Sequence, residues 1–360
     1  MNAADRVRSI VSRMTTPLLP DDYLRLINPL WTARELRGKI VEVVPETEDA
    51  ATLVIKPGWG WRFDYQPGQY VGIGVQIAGR FHWRSYSISS VPPDAAKPDG
   101  RRDPAYITIT VKAMPEGFMS AHLVRGLEPG TIVRLALPQG EFVLPDPPPE
   151  KVLFWTGGSG ITPVMSMLRT LHRRKHMPDV VHVHSAPSLA SAIFRDERLQ
   201  LAQDNPTLTL IENFDDTHGV LDVDRLIEAV PDWREREAWV CGPAPMLEAA
   251  EKHWERHRQG KRLHLERFSA NLSASAEGGT VVFAKSGKEV TLDGATTILE
   301  AGEAEGIEMP FGCRMGICHT CVLPLREGVI KDLRNGNEYE ADQNVQTCVT
   351  AAAGDCVIEI

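Results

Sequence analysis

The 360-residue chain has no run of about 18 apolar residues, so no transmembrane helix is expected. Its first residues also lack the continuous apolar core of a secretory signal, because Arg6, Arg8 and Arg13 are interleaved with Val7, Ile10 and Val11. The expected location is therefore the cytoplasm, where thiols stay reduced. No basic stripe and no nucleic-acid-binding motif is present, which argues against nucleic acid as a partner. Cysteine is scarce, with six residues, and the single C-x2-C at 318–321 has no second pair to complete a zinc knuckle. A disulfide framework is equally out of place in a chain of this length without a secretory signal. What remains is a globular composition, 42% hydrophobic and 24% charged, at a length that predicts two or three domains.

Four of the six cysteines carry the strongest signal. Cys313-Arg-Met-Gly-Ile-Cys318-His-Thr-Cys321 puts four residues between the first two cysteines and two between the next pair, and Cys348 follows after a long gap. This C-x4-C-x2-C…C spacing suits a [2Fe-2S] cluster, since each iron needs two thiolates, three of which can come from one tight loop. Gly312 and Gly316 let that loop turn closely around the sulfurs. Strands are predicted at 280–283, 289–292 and 356–360 and a short helix at 297–304, with Cys356 a buried core thiol. Residues 280–360 resemble a plant-type ferredoxin domain, which implies a β-grasp fold with Cys313, Cys318, Cys321 and Cys348 as iron ligands. From residue 280 onward 13 Asp and Glu face 6 Lys and Arg, a net −7, whereas the preceding residues hold 35 and 33, a net −2. An acidic electron-carrying domain suits docking on a basic acceptor, and a merely solvated acidic face explains the same count.

Residues 1–35 read as an N-terminal extension. Val7, Ile10, Val11 and Met14 lie at helical spacing among arginines, a pattern that suits either an anionic membrane surface or packing on the protein itself. Residues 36–146 carry predicted short strands at 38–44, 51–55, 70–77, 106–111 and 131–136, as in an antiparallel β-barrel. Within them stand Arg84-Ser-Tyr-Ser87 and Gly117-Phe-Met-Ser120. An R-x-Y-S strand followed by a G-x-x-S turn resembles the flavin domain of the ferredoxin–NADP reductase superfamily. The resemblance implies FAD, with Arg84, Gly117 and Ser120 on its pyrophosphate, Tyr86 packed on the isoalloxazine and Ser87 beside N5. The chemistry agrees, because a guanidinium binds phosphate in bidentate fashion and a tyrosine face suits a flat ring.

After the stiff connector Pro145-Asp-Pro-Pro-Pro149, residues 150–268 read as a parallel α/β nucleotide-binding domain. A strand at 152–155 leads into Thr156-Gly-Gly-Ser-Gly-Ile-Thr-Pro163 and then a helix predicted at 164–171. Strand, glycine turn and helix bring backbone N–H groups against a pyrophosphate, which makes Gly157, Gly158, Ser159, Gly160, Thr162 and Pro163 candidate nucleotide contacts. The same superfamily resemblance extends to Cys241-Gly-Pro243 and places Cys241 beside the nicotinamide, with Gly242 and Pro243 shaping its pocket; on chemistry alone Cys241 is a buried strand thiol. It also sets Glu266 and Phe268, from an E-x-F segment, beside the flavin. Ser185 ends the strand at 180–187 with no acid before Asp196 and with Arg195 nearby, so NADPH is the expected nucleotide and NADH the alternative. His172 with His176 and His182 with His184 are poor metal sites, the first pair because Arg173, Arg174 and Lys175 repel a cation and the second because its strand is needed for the nucleotide domain. Residues 269–279 are small and polar, as a tether to the last domain should be.

The three domains belong together because a nicotinamide gives two electrons at once and a [2Fe-2S] cluster accepts one at a time, so a flavin must stand between them. This order resembles the reductase components of bacterial oxygenase and fatty-acid desaturase systems. The resemblance implies an oxidoreductase that passes electrons to a separate acceptor. Asn28-Pro-Leu-Trp31 looks most like reductases feeding a membrane acyl desaturase, with peripheral association at the inner face of the membrane through the partner or the N-terminal extension. A soluble mono- or dioxygenase acting on a phenylacetyl-CoA, steroid or aromatic substrate is the alternative acceptor. A redox sensor is the alternative of another class, disfavoured because no effector or DNA-binding segment is present.

Overall fold

The computed structural model describes residues 27–31, 36–58, 64–77, 80–93, 106–114, 118–268, 276–311, 314, 316 and 319–360. The expected amphipathic segment at 5–14, most of the tether, Gly117, Gly312, Cys313 and Cys318 lie outside them. The chain divides into two compact units, the second being Leu265–Ile360 with the short segments Trp83–Ser85 and Gly242–Ala249.

The first unit holds two sheets, apart from Trp83–Ser85 of one strand and the last two residues of another, which are counted with the second unit. Strands β1 (Arg37–Thr47), β2 (Ala50–Pro57), β3 (Tyr70–Ile77), β4 (Arg80–Ser87), β5 (Ile107–Lys112) and β6 (Ile132–Leu135) form one sheet in the order β4-β3-β6-β1-β2-β5. An isolated bridge between Ile88 and Ile109 joins the chain leaving β4 to β5, so the two ends of that order meet and the sheet closes as a barrel. Its strands are rich in β-branched residues, and Ile40, Leu53, Ile55, Val71, Ile73, Ile107, Ile109 and Val133 fill the interior. Helix α1 (Phe118–Arg125) adds Met119 and Leu123 to that core.

The second sheet has the order β11-β10-β7-β8-β9, built from β7 (Lys151–Gly157), β8 (Asp179–Ala186), β9 (Leu208–Phe214), β10 (Glu237–Cys241) and β11 (Leu263–Glu266). The pairings of β10, β7, β8 and β9 are parallel. Six consecutive buried residues in β7 show a strand covered on both faces, as a parallel sheet requires. The flanking helices are α2 (Ile161–Arg173), α3 (Arg195–Asp204), α4 (Asp215–His218), α5 (Val223–Ala229) and α6 (Ala244–Arg256). Because β7 is followed on one side by β8 and on the other by β10, the chain reverses direction of winding at its carboxyl end, where such sheets bind ligands.

In the second unit, β12 (Gly279–Phe283), β13 (Lys288–Leu292), β14 (Val322–Glu327), β17 (Gln343–Gln346) and β19 (Cys356–Ile358) form a mixed sheet in the order β13-β12-β19-β14-β17. A smaller sheet, β16-β15-β18, uses β15 (Val329–Asp332), β16 (Glu338–Glu340) and β18 (Thr350–Ala352). Helix α7 (Ile298–Ala304) opens on a capping box in which Thr297 and Glu300 satisfy each other's backbone N–H, and it buries Ile298, Leu299 and Ala301 in the core. This is the β-grasp arrangement. Cys356 is a buried core thiol as expected, and burial pushes it up to about 11.

Candidate cofactor sites

The iron–sulfur end is built by pairing β14 with β17. Val322 lies opposite Gln346, so Cys321, just before β14, comes beside Cys348, just after β17. Their sulfurs are 3.2 Å apart, neither forms a disulfide and both residues are buried. That separation is far longer than the ~2.05 Å of a disulfide. Two thiols converging without a bond are what two ligands of one iron require, so the donor set fits the cluster. Thr347 secures Cys321 by donating to its carbonyl from both N–H and Oγ1, at 3.2 and 3.0 Å. At Gly316, φ is +72° and an added Cβ would lie 2.2 Å from Arg334 Nη1, so a side chain there would be strained and would displace the guanidinium.

The nucleotide end gathers residues distant in sequence. Cys241 is in register with Thr156 across β10 and β7, and Ser185 with Gly157 across β8, so the carboxyl ends of three strands align. The Gly158–Gly160 turn connects them to α2. Gly158 has φ +53° and no atom within 4 Å of where a Cβ would sit, which leaves an open cradle before the helix. This shape fits a pyrophosphate approached by backbone N–H groups. Ser159 accepts through its carbonyl from Thr162 Oγ1 at 3.0 Å. The helix starts at Ile161, earlier than the predicted 164, so Pro163 sits inside its first turn; no bond is lost, because N–H groups there have no helical partner.

Cys241 is fully buried, and the Ser185 Oγ is buried without a hydrogen-bond partner among the described residues. Arg195 is paired with Glu212 at 3.1 Å, and the buried Arg198 shares the same carboxylate at 3.0 Å. Thr156 Oγ1 lies 3.0 Å from His182 Nε2 and 2.8 Å from His184 Nδ1, and burial holds both imidazoles well below their usual range. They are neutral core groups. Pro243 is exposed, and its carbonyl accepts from the N–H groups of Met246 and Leu247 as α6 begins, with Gly242 half-buried before it.

On the flavin strand, Ser87 is buried, Tyr86 is half-buried against the barrel core, and the exposed Arg84 donates from Nη1 to the Trp83 carbonyl at 2.9 Å. Ser120 Oγ accepts from the Met114 N–H at 3.1 Å. Glu266, at the end of β11, is 9% exposed, and loss of water raises its carboxyl to about 7. Phe268 is exposed.

Two residues absent from the sequence reading join the nucleotide helix to the flavin strand. Ser166 Oγ donates to the Ser90 carbonyl at 2.7 Å, and Arg169 Nη1 to the Ser89 carbonyl at 2.6 Å. Arg169 also forks onto Glu197 at 2.7 and 2.6 Å and stacks on Phe194. Ser166 and Arg169 share their helix face with Thr162, Thr170 and Arg173, so the sequence offers no distinctive signal for them.

Three family models match in order: an oxidoreductase FAD-binding domain at 46–144, an oxidoreductase NAD-binding domain at 154–252 and a 2Fe-2S iron–sulfur cluster binding domain at 283–353. An NADPH oxidoreductase of Mycobacterium tuberculosis is 58% identical over 98% of this chain and 92% of its own. The chain belongs to the three-module ferredoxin reductases. A glycine betaine monooxygenase reductase subunit of Pseudomonas aeruginosa is 31% identical over 92% of this chain and 98% of its own. Phthalate dioxygenase reductase shares the fold, with a TM-score of 0.63 at 21% identity over 91% of this chain and 98% of that one. This three-module reductase is therefore an NAD(P)H-dependent oxidoreductase with domains for FAD, nicotinamide nucleotide and a [2Fe-2S] cluster. No described helix is long and apolar enough to cross a membrane.

Proposed function

We propose that this reductase draws reducing equivalents from NADPH and delivers them singly to a separate oxygen-activating enzyme. The observation that carries the reading is the pair Cys321 and Cys348 in the same chain as an open glycine cradle ending a parallel strand. When bound, the flavin accepts a hydride and the cluster passes on single electrons. The chain's residues supply placement. Gly157, Gly158, Ser159, Gly160, Thr162 and Pro163 hold the nucleotide pyrophosphate, while Cys241, Gly242 and Pro243 border the nicotinamide. Arg84 and Ser120, with Gly117, hold the flavin pyrophosphate, and Tyr86 and Ser87 orient its ring. Glu266 holds a proton at its carboxyl below about pH 7, and Phe268 shields the ring. Residues 36–146, 150–268 and 280–360 are the corresponding functional domains, flanked by the extension at 1–35 and the tether at 269–279.

Preference for NADPH is supported by the name of the 58%-identical relative and by the lack of an acidic side chain on Ser185 at the β8 end. A kcat/KM for NADH equal to or above that for NADPH would remove it. For the acceptor, the names of two relatives favour a terminal oxygenase. The desaturase reading rests on Asn28-Pro-Leu-Trp31, a tight turn in which Asn28 Oδ1 accepts from the Leu30 N–H at 3.0 Å, and none of those names refers to a desaturase or a membrane. The cytoplasm suits reduced thiolates and NADPH. Reconstitution of the purified reductase with candidate oxygenases and acyl desaturases should yield product with one class. If NADPH is consumed with cytochrome c and neither class forms product, the proposed acceptor chemistry is wrong.

A further inference from the structure

Beside the two described cysteines lies an ion pair that none of the assigned roles uses. Asp332 ends β15 with 1% exposure, and its carboxylate takes Arg334 in a fork: Nε to Oδ1 at 3.0 Å and Nη2 to Oδ2 at 2.6 Å. The same guanidinium reaches two parts of the cluster site. Nη1 donates to the Gly316 carbonyl, within the three-cysteine loop, at 2.9 Å, and Nη2 to Gln346 Oε1, two residues before Cys348, at 3.0 Å. Gln346 closes the ring by donating from Nε2 to that same Gly316 carbonyl at 2.9 Å. Leu333, between the two charged residues, donates its N–H to the Val349 carbonyl at 2.9 Å, which fixes the pair against the strand that leaves Cys348.

We propose that Arg334 and Asp332 are positioning residues that set the charge felt by the cluster, with the arginine end directed at the cysteine loop and the carboxylate held behind it. Reduction adds one negative charge to the cluster. A fixed cation near the loop favours that state, and a buried anion opposes it. Burial keeps the Asp332 effect from being screened by salt, while the partly exposed Arg334 is screened more. The order of the pair decides the sign of each effect. A role limited to bracing the loop makes no such distinction, because losing either partner loosens the same fork.

The test is the midpoint potential of the cluster, read from its visible absorption and from the reduced-state electron paramagnetic resonance signal in the intact reductase. Iron and sulfide are counted per chain. In R334Q the ratio of reduced to oxidised cluster at fixed potential should fall about tenfold, a shift of about −59 mV for a one-electron couple. In D332N it should rise by a similar factor. R334K should keep the potential within about threefold of the parent ratio while losing the fork, and the double variant should lie between the single ones. Shifts of the same sign in R334Q and D332N, or no shift beyond twofold in either, would overturn the proposal. Should R334Q hold no iron, D332N decides alone: a rise supports charge setting, and a fall or no change rejects it.

Discussion

The iron–sulfur end and the nucleotide end of this reductase are made of opposite materials. In the relay proposed above, two side chains, Cys321 and Cys348, would hold an iron, and the fold brings their sulfurs to 3.2 Å. At Gly157 to Gly160 the side chains are mostly missing, and the proposed nucleotide contact falls to the backbone and the open space at Gly158. The difference teaches what each site can tolerate. The first fails when an atom is deleted, and the second fails when one is added.

The largest break of this comparison is Cys348→Ser. It should reduce cluster absorption and cytochrome c reduction to background while leaving NADPH-driven ferricyanide reduction, which needs only flavin, within about twofold of the parent. Loss of both activities with flavin retained would contradict a sequential relay. A serine in place of Cys241, which has no iron to hold, should leave cluster absorption unchanged.

The two ends also differ in how they could be read from sequence. Side-chain chemistry leaves spacing behind, so the four cysteines were visible at once. The strands were visible too, because turn residues and β-branched runs bound each one, as at β3 and β5. The helix starts at Ile161, before the predicted 164, because the first turn accepts proline at any residue lacking an N–H partner. Contacts between elements left no trace of this kind. Arg169 and Ser166 sit on a helix face shared with Thr162, Thr170 and Arg173, and their acceptors are backbone carbonyls of Ser89 and Ser90, which carry no residue signature. The same holds for Arg195, which spacing alone left available for a nucleotide phosphate and which pairs with Glu212 from the adjacent strand. Arg334 likewise carries no sequence signal for its bond to the Gly316 carbonyl, which arises only because the turn after β15 brings the two together.

Burial, the third means of making a site, predicts the next largest effect. Glu266 titrates near 4.5 in an unfolded chain and at about 7 when folded. Below pH 4.5 both states are protonated and nothing depends on this group. Between the two values the unfolded chain has lost the proton and the folded one keeps it, so stability falls as pH rises and levels off above 7, after a loss of roughly 3 kcal/mol. Glu266→Gln should remove that loss. Urea unfolding at pH 5 and pH 8.5 measures it, and an unchanged difference between parent and variant would mean that Glu266 is solvated.

Gly158→Ala sharpens the claim about added atoms. The left-handed φ of +53° makes any side chain there cost roughly 1–2 kcal/mol of stability, although no neighbouring atom is within 4 Å. The new methyl would project into the cradle, so the Kd for NADPH, measured by titration of the oxidised enzyme, should rise about tenfold beyond what strain explains. Stability loss with unchanged affinity would place the pyrophosphate elsewhere.

The smallest effect tests whether the nucleotide end borrows any side-chain chemistry at all. Glu212 holds Arg195 at 3.1 Å and the buried Arg198 at 3.0 Å, and both arginines belong to the helix that follows the β8 end, where the adenosine ribose of a nucleotide bound at this switch point would lie. A carboxylate so placed neutralises charge that a 2′-phosphate would otherwise meet. Glu212→Gln keeps the shape and a hydrogen-bond acceptor but releases the charge, so the ratio of kcat/KM for NADPH over NADH should rise about threefold, with most of the change in KM. A fall in that ratio would mean that Glu212 orients Arg195 toward the phosphate and that orientation outweighs charge. An unchanged ratio would assign nucleotide choice to the backbone and Ser185 alone, and would make the contrast with the cysteine end complete.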